Sequence, residues 1–278
     1  MKGSIMRTVA ALGLWICALA FAGPLQAQSG KEDPWPSLAA DIFDGKPIAD
    51  ANGIVALEAP YRAEDAALVP LTIRTKLPGN DSRFVRKLTL VIDGNPSPVA
   101  AEFIFGPKAA VDELTTRVRV DTYTNIHVVA ELSDGALYGT EKFVKASGGC
   151  SAPAGKNPDE AIANLGKMRL RQFAMPVDEM GKGHRDVQLM IRHPNNSGLQ
   201  MDQVTRNYVP LYIVRELTIR QGGDLVMKME GGISISEDPN FRFHFTSNGA
   251  DRIEVEAEDT AGKVFKGDWK LEAQPSGS

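Results

Sequence analysis

Residues 84–93 read FVRKLTLVID, with Leu88, Leu90 and Ile92 on alternate positions. Asp93-Gly94-Asn95-Pro96 follows, and then residues 99–105 read VAAEFIF. Period-two apolar spacing rich in β-branched and aromatic side chains is the pattern of a half-buried strand. Asp, Gly, Asn and Pro are the residues that reverse a chain tightly. Two strands joined by a turn set the reading for the rest. Upstream, residues 68–77 (LVPLTIRTKL) show the same alternation and end in Pro78-Gly79-Asn80-Asp81. Downstream, residues 113–120, 126–132 and 137–144 repeat it around Ser133-Asp134-Gly135. Past residue 165 come seven more such stretches, at 167–173, 186–192, 212–220, 224–230, 241–246, 252–258 and 264–271. The last two are joined by Asp259-Thr260-Ala261-Gly262. No long helical pattern intervenes; residues 37–43 (SLAADIF) predict one short helix. Short strands at this spacing predict an all-β protein built of antiparallel β-sandwiches.

The 278 residues suit two such units. With 43% hydrophobic residues the chain has enough apolar surface for packed cores, and 26 glycines and 17 prolines are far too few for a collagen-like chain. A formal net charge of −4 argues against a nucleic-acid partner.

Residues 1–27 have the layout of a secretory signal. Lys2 and Arg7 precede an apolar run from Val9 to Ala22; Gly23-Pro24 breaks it, and Ala27 offers a small residue at the cut. The run is shorter than the roughly 20 residues a membrane span needs, and no later stretch is long and apolar enough for membrane insertion. The expectation is an exported, periplasmic protein. Of the two cysteines, Cys17 would leave with the leader and Cys150 would remain as the one thiol.

Residues 146–158 read ASGGCSAPAGKNP, three glycines and two prolines among small side chains. This is the composition of a flexible linker, with Cys150 in its middle and Gly148, Gly149 and Ser151 as its hinge. Small neighbours offer no apolar cover, so an exposed thiol is expected. In an oxidising compartment such a thiol points to pairing between molecules, as in a disulfide-linked homodimer, or to deliberate reactivity. A catalytic cysteine needs a rigidly held base, which a Gly-Gly hinge does not supply. A hinge lets the sulfur travel: the five residues from Lys145 to Cys150 reach roughly 17 Å. The physical reading is a carrier whose thiol is loaded by partners, itself not an enzyme. Lys145 and Lys156 would favour the thiolate only weakly.

Phe143-Val-Lys-Ala-Ser-Gly-Gly-Cys150 resembles the last strand and Gly-Gly-Cys arm of SoxY, the sulfur-carrier subunit of periplasmic thiosulfate oxidation. Residues 54–60, 69–73 and 88–96 are similar to SoxY as well. Ile191-Arg-His-Pro-Asn-Asn-Ser-Gly-Leu-Gln200 resembles the strand and His-Pro loop of SoxZ, and residues 240–245 and 259–262 follow its later strands and hairpin. The resemblance implies two immunoglobulin-like sandwiches, SoxY-like over 35–145 and SoxZ-like over 165–272, joined by the arm at 146–158. It further implies a carrier with a covalent adduct on Cys150 and no other cofactor. In SoxY the arm is the C-terminus; here it is tethered at both ends. Fused SoxYZ-like carriers accompany quinoprotein (PQQ-dependent) alcohol dehydrogenases. The partners so implied are such a dehydrogenase, a c-type cytochrome or Sox-type enzymes. The alternative is a non-covalent adaptor for the dehydrogenase.

Other groups carry less. His127, His184, His193 and His244 show no close ligand spacing. Met227 and Met229 share one strand face and read as core filling rather than copper ligands. Asp178-Glu179 is a charged pair without a partner motif, and Glu254, Glu256 and Glu258 alternate as a solvated face.

Overall fold

The computed structural model describes residues 33–153, 155, 158–175 and 183–272. The expected leader 1–27, Lys156 and Asp178-Glu179 lie outside them.

The alternating stretches form strands close to the expected bounds. In the first half β1 (Ile48–Asp50) and β2 (Val55–Glu58) lead into β3 (Val69–Thr75), β4 (Val85–Ile92) and β5 (Val99–Phe105). β6 (Glu113–Val118), β7 (Thr124–Leu132) and β8 (Leu137–Val144) complete that half. The second half holds β9 (Met168–Phe173), β10 (His184–Ile191), β11 (Val214–Gln221), β12 (Asp224–Gly231), β13 (Asn240–Thr246), β14 (Arg252–Asp259) and β15 (Val264–Lys270). Helices α1 (Trp35–Ile42) and α2 (Pro158–Ala163) flank them. Helix α1 comes two residues earlier than 37–43, because Trp35 anchors it. The indole stacks on the His127 ring with centroids 3.6 Å apart, and Phe43 tucks against Val129 and Leu137.

The protein is all-β, in two immunoglobulin-like sandwiches whose layers are continuous with each other. One sheet runs β1-β8-β7-β4-β5-β12-β11-β14-β15 and the other β2-β3-β6-β13-β10-β9. The joins are antiparallel: Phe105 faces Met227 where β5 meets β12, and Leu114 faces Phe243 where β6 meets β13. Pairing edge to edge in both layers satisfies strand edges that two free sandwiches would leave open to aggregation. It also merges their cores. Phe103 of the first half meets Phe241 of the second at 6.1 Å between ring centroids, both fully buried. Met227 and Met229 are likewise fully buried in this shared core, where flexible thioethers fill the irregular space at a join. Glu254 and Glu256 face solvent, and Glu256 pairs with Lys266 at 2.8 Å. Among the described residues no cluster of histidine, cysteine and carboxylate is arranged to hold a metal ion.

Candidate functional site: a seated cysteine arm

The arm leaves the end of β8 along residues 61–63. Lys145 N–H donates to the Tyr61 carbonyl at 2.8 Å, and its own carbonyl accepts from Ala63 at 3.1 Å. The Lys145 ammonium lies over the Tyr61 ring, 4.7 Å from its centre. From Ala146 the chain turns inward, and here the structure corrects the sequence reading. Cys150 is fully buried, not exposed, and the Gly148-Gly149-Cys150-Ser151 segment is held by hydrogen bonds rather than free. The flanking residues are indeed small, but the cover comes from distant elements: the segment 119–121 beyond β6, and the loop 193–200 beyond β10.

The first of these acts as a short strand for the arm. Gly149 N–H donates to the Val120 carbonyl at 3.0 Å and Gly148 N–H to the Asp121 carbonyl at 2.8 Å. The Asp121 carboxylate accepts from Cys150 N–H at 3.3 Å. Arg119 Nη1 donates to the Gly149 carbonyl at 3.2 Å. From the second half, Ser197 Oγ donates to the Cys150 carbonyl in a short bond, and Gln200 Nε2 donates to the Ala152 carbonyl at 3.0 Å. The backbone around Cys150 is therefore held by both halves at once. Only Ser151 of the expected hinge faces solvent, its hydroxyl turned back to the Gly148 carbonyl at 3.3 Å.

Both glycines have a local reason. Gly148 has φ +77°, which a side chain would strain, and Gly149 has no room for one. A Cβ on Gly149 would lie 2.1 Å from the Ala66 carbonyl oxygen and 2.7 Å from that of Val120. The same two residues that read as a hinge are the ones that let the arm lie flat against the sheet.

Polar side chains brace the seat. Asn95 donates to the Arg119 carbonyl and to Ser234 Oγ, each at 2.8 Å, and accepts from Asp121 N–H at 2.8 Å. Asn195, fully buried at φ +44°, donates to the Ile235 carbonyl at 3.1 Å and accepts from Val214 N–H at 3.0 Å. Its own N–H donates to His193 Nδ1 at 3.1 Å, which leaves the His193 proton on Nε2, facing Asp259 Oδ2 at 3.7 Å. Burial holds the His193 pKa below its ordinary value. His193 thus shapes the loop that presents Ser197 and Gln200.

Burial, reinforced by the Asp121 carboxylate and opposed by the Arg119 guanidinium, pushes the Cys150 thiol up to about 12. Seated, the thiol therefore holds its proton at neutral pH. The thiolate is the nucleophile, so the raised pKa makes the seated thiol a weaker one. Of the seat, Cys150, Gly148 and Gly149 were visible in the sequence. Arg119, Asp121, Asn95, Ser197 and Gln200 were not, although Ser197 and Gln200 lie in the His-Pro loop that the resemblance singles out.

The fold and site together define an all-β protein of two joined sandwiches with one buried, arm-borne cysteine held between its halves. Residues 39–150 match the family model described as sulfur oxidation protein SoxY, a match that ends on Cys150 itself. Residues 177–270 match that of sulphur oxidation protein SoxZ. The two matches lie in order along one polypeptide, SoxY-like in the first half and SoxZ-like in the second. Among solved structures it is similar to the sulfur carrier protein SoxY from Chlorobium limicola f thiosulfatophilum. Identity is 29% over 40% of this chain and 89% of that one, with a TM-score of 0.33. A superoxide reductase (neelaredoxin) from Ignicoccus hospitalis aligns at 15% identity over 38% of this chain and 90% of its own, with a TM-score of 0.30. No curated protein matches the chain.

Proposed function

We propose that this protein is an exported, periplasmic carrier that presents Cys150 as a covalently loadable thiol to partner enzymes and performs no catalysis itself. The observation that carries the reading is the arm: a SoxY-type match that stops at Cys150, on a segment held to both halves by reversible hydrogen bonds. Each such bond contributes roughly 0.5–1.5 kcal/mol net, so a handful keeps the arm closed without locking it. Tethered at both ends, the open arm is a loop, and the partner must accept a loop rather than a chain end. Tyr61 and Phe143 at its root, and Leu199, Met201 and Tyr208 beside the clamp, are exposed and give a partner apolar ground near the thiol. The partners we propose are a quinoprotein dehydrogenase with its c-type cytochrome, or Sox-type enzymes. A Cys150–Cys150 homodimer also requires the arm to open. The test is intact-mass measurement of protein isolated from its native exported fraction without reductant, beside a Cys150→Ser strain. An adduct on Cys150 and loss of function in the variant are expected; an unmodified thiol with a fully functional variant overturns the reading.

The quiet, buried thiol favours a second reading, a non-covalent adaptor for the quinoprotein dehydrogenase. Capture of the dehydrogenase in equal yield by wild type and Cys150→Ser, with function retained, would select it.

A further inference from the structure

His193 is 1% exposed and lies two residues past β10, at the mouth of the loop that closes on the arm. Its Nδ1 accepts the Asn195 N–H at 3.1 Å, so its one proton is on Nε2, facing Asp259 Oδ2 at 3.7 Å, too far for a hydrogen bond. Tyr212 stands 4.5 Å away between ring centroids, with Lys263 over its ring. Asp238 accepts the His193 N–H at 3.1 Å and pairs with Arg192, and Glu160 of α2 and Glu237 line the same pocket beside Pro194. Beyond Asn195 the loop is one bonded unit. The Asn195 carbonyl accepts from Arg119 Nη2 at 3.4 Å, and Arg119 Nη1 holds the Gly149 carbonyl. Ser197 N–H donates to Gln200 Oε1 at 3.0 Å, while the Ser197 hydroxyl and the Gln200 amide hold the Cys150 and Ala152 carbonyls. The donors to these three arm carbonyls thus touch Asn195 or follow it by at most five residues.

We propose that His193 is the positioning residue of this clamp, and that its protonation state sets whether the arm is held. A second proton has one place to go, Nδ1, whose lone pair already takes the Asn195 N–H. Adding it replaces a hydrogen bond by two opposed N–H groups in a buried site, where an unsatisfied donor is strongly unfavourable. The imidazolium is also drawn toward Asp259, on the other side of the ring from Asn195. Both effects release Asn195, and with it the donors of Arg119, Ser197 and Gln200. Burial leads in lowering the His193 pKa; Asp259 and Asn195 oppose it and Lys263 reinforces it. A group whose pKa is lowered in the closed form supports closure fully above its ordinary value of 6.5. That support is lost as pH falls from there through the lower, seated value, so acid opens the arm. His244 has the opposite sign, its pKa being raised, and the β6–β13 join is strengthened by acid as the seat loosens. The assignment rests on the carrier reading above, in which a closed arm must open, and names what opens it. Its test uses the unloaded protein, so its failure leaves the carrier reading to its own experiment.

Amide hydrogen exchange of Gly148, Gly149 and Cys150 reads opening without any thiol chemistry, because their N–H groups are bonded in the seat to Asp121 and Val120. The reduced full-length protein is measured from about pH 8 to about pH 5, a range that brackets the ordinary imidazole value. Each rate is divided by that of a peptide of residues 146–153, which removes the intrinsic pH dependence of exchange. Protection of the arm amides is expected to fall about tenfold or more toward acid, the effect of losing one buried hydrogen bond. Amides of β11 and β14 are expected to keep theirs. His193→Asn, whose Oδ1 stands in for Nδ1 and does not titrate, is expected to hold the arm equally at both ends of the range. His244→Gln is expected to retain the wild-type fall. Constant protection in wild type overturns the assignment, and so does a fall shared by β11 and β14; neither result needs a variant to fold. A fall that survives in His193→Asn overturns it as well.

Discussion

Ser197 donates its hydroxyl proton to the carbonyl of Cys150, across the boundary between the two halves of the chain. The cysteine is carried by the SoxY half and closed in by the SoxZ half. In a fused chain, that contact needs no second subunit to form.

Removing the clamp opens the arm. Ser197→Ala deletes the donor to Cys150, and Gln200→Ala the donor to Ala152. Each loss is worth about 1 kcal/mol, so alkylation of Cys150 by iodoacetamide is expected to rise roughly five- to tenfold per variant. Far-ultraviolet circular dichroism is expected to stay unchanged, since neither residue lies in a strand.

Gly149 is the stricter of the two glycines. A Cβ there would collide with the Ala66 and Val120 backbones, whereas Gly148 opposes substitution through its φ of +77° alone. Gly149→Ala is expected to expose the thiol by more than tenfold in the same assay. Gly148→Ala costs about 1 kcal/mol and is expected to show a smaller rise.

The strands were legible in the sequence because period-two alternation is local. β5 and β8 fall on the expected residues, and the other expected strands within a few of theirs. Short β1 and β2 carry too few residues for a pattern. The joins β5–β12 and β6–β13 were not legible, because pairing between halves is set by which edges meet and not by either stretch alone. The seat failed to show for a related reason. Gly-Gly beside a cysteine reads as freedom when only its neighbours are considered. The carbonyls of Val120 and Asp121 that accept from the two glycines, and the Ser197 hydroxyl that covers Cys150, come from far along the chain.

Alkylation should carry the mark of the seat in its pH profile. Burial raises the thiol pKa from 9.0 to about 12, so the seated form holds its proton where an open arm releases it. The advantage of the seated form is complete below pH 9 and is lost as pH rises toward 12. The alkylation rate of wild type is expected to keep climbing above pH 9, while Gly149→Ala levels off near it. Coincident profiles would count against the seat.

His244 supplies a second pH dependence, at the β6–β13 join. Asp186 lies 3.6 Å from its Nε2, Glu113 3.7 Å from the same atom and Asp112 3.6 Å from Nδ1; Arg242 pairs with Asp186, and His184 lies 3.6 Å from Asp112. The hydrogen bond to Asp186 leads these groups in raising the His244 pKa above its ordinary value, against the opposing pull of burial. Its contribution is therefore full below the unfolded pKa of about 6.5 and fades as pH rises through the folded one. His244→Gln is expected to lower the thermal midpoint more at pH 5.5 than at pH 8.5. The difference should stay below about 1 kcal/mol, the scale of partly exposed ion pairs.

The central claim is that the thiol rests in a seat and reacts only when the arm opens. Timing the tetrathionate loading of Cys150 by intact mass, on native protein and on a peptide of residues 146–153, tests it most directly. Loading of the protein to one adduct, at least about a hundredfold slower than the peptide and accelerated in Gly149→Ala, is the predicted result. Loading at the rate of the free peptide would contradict it.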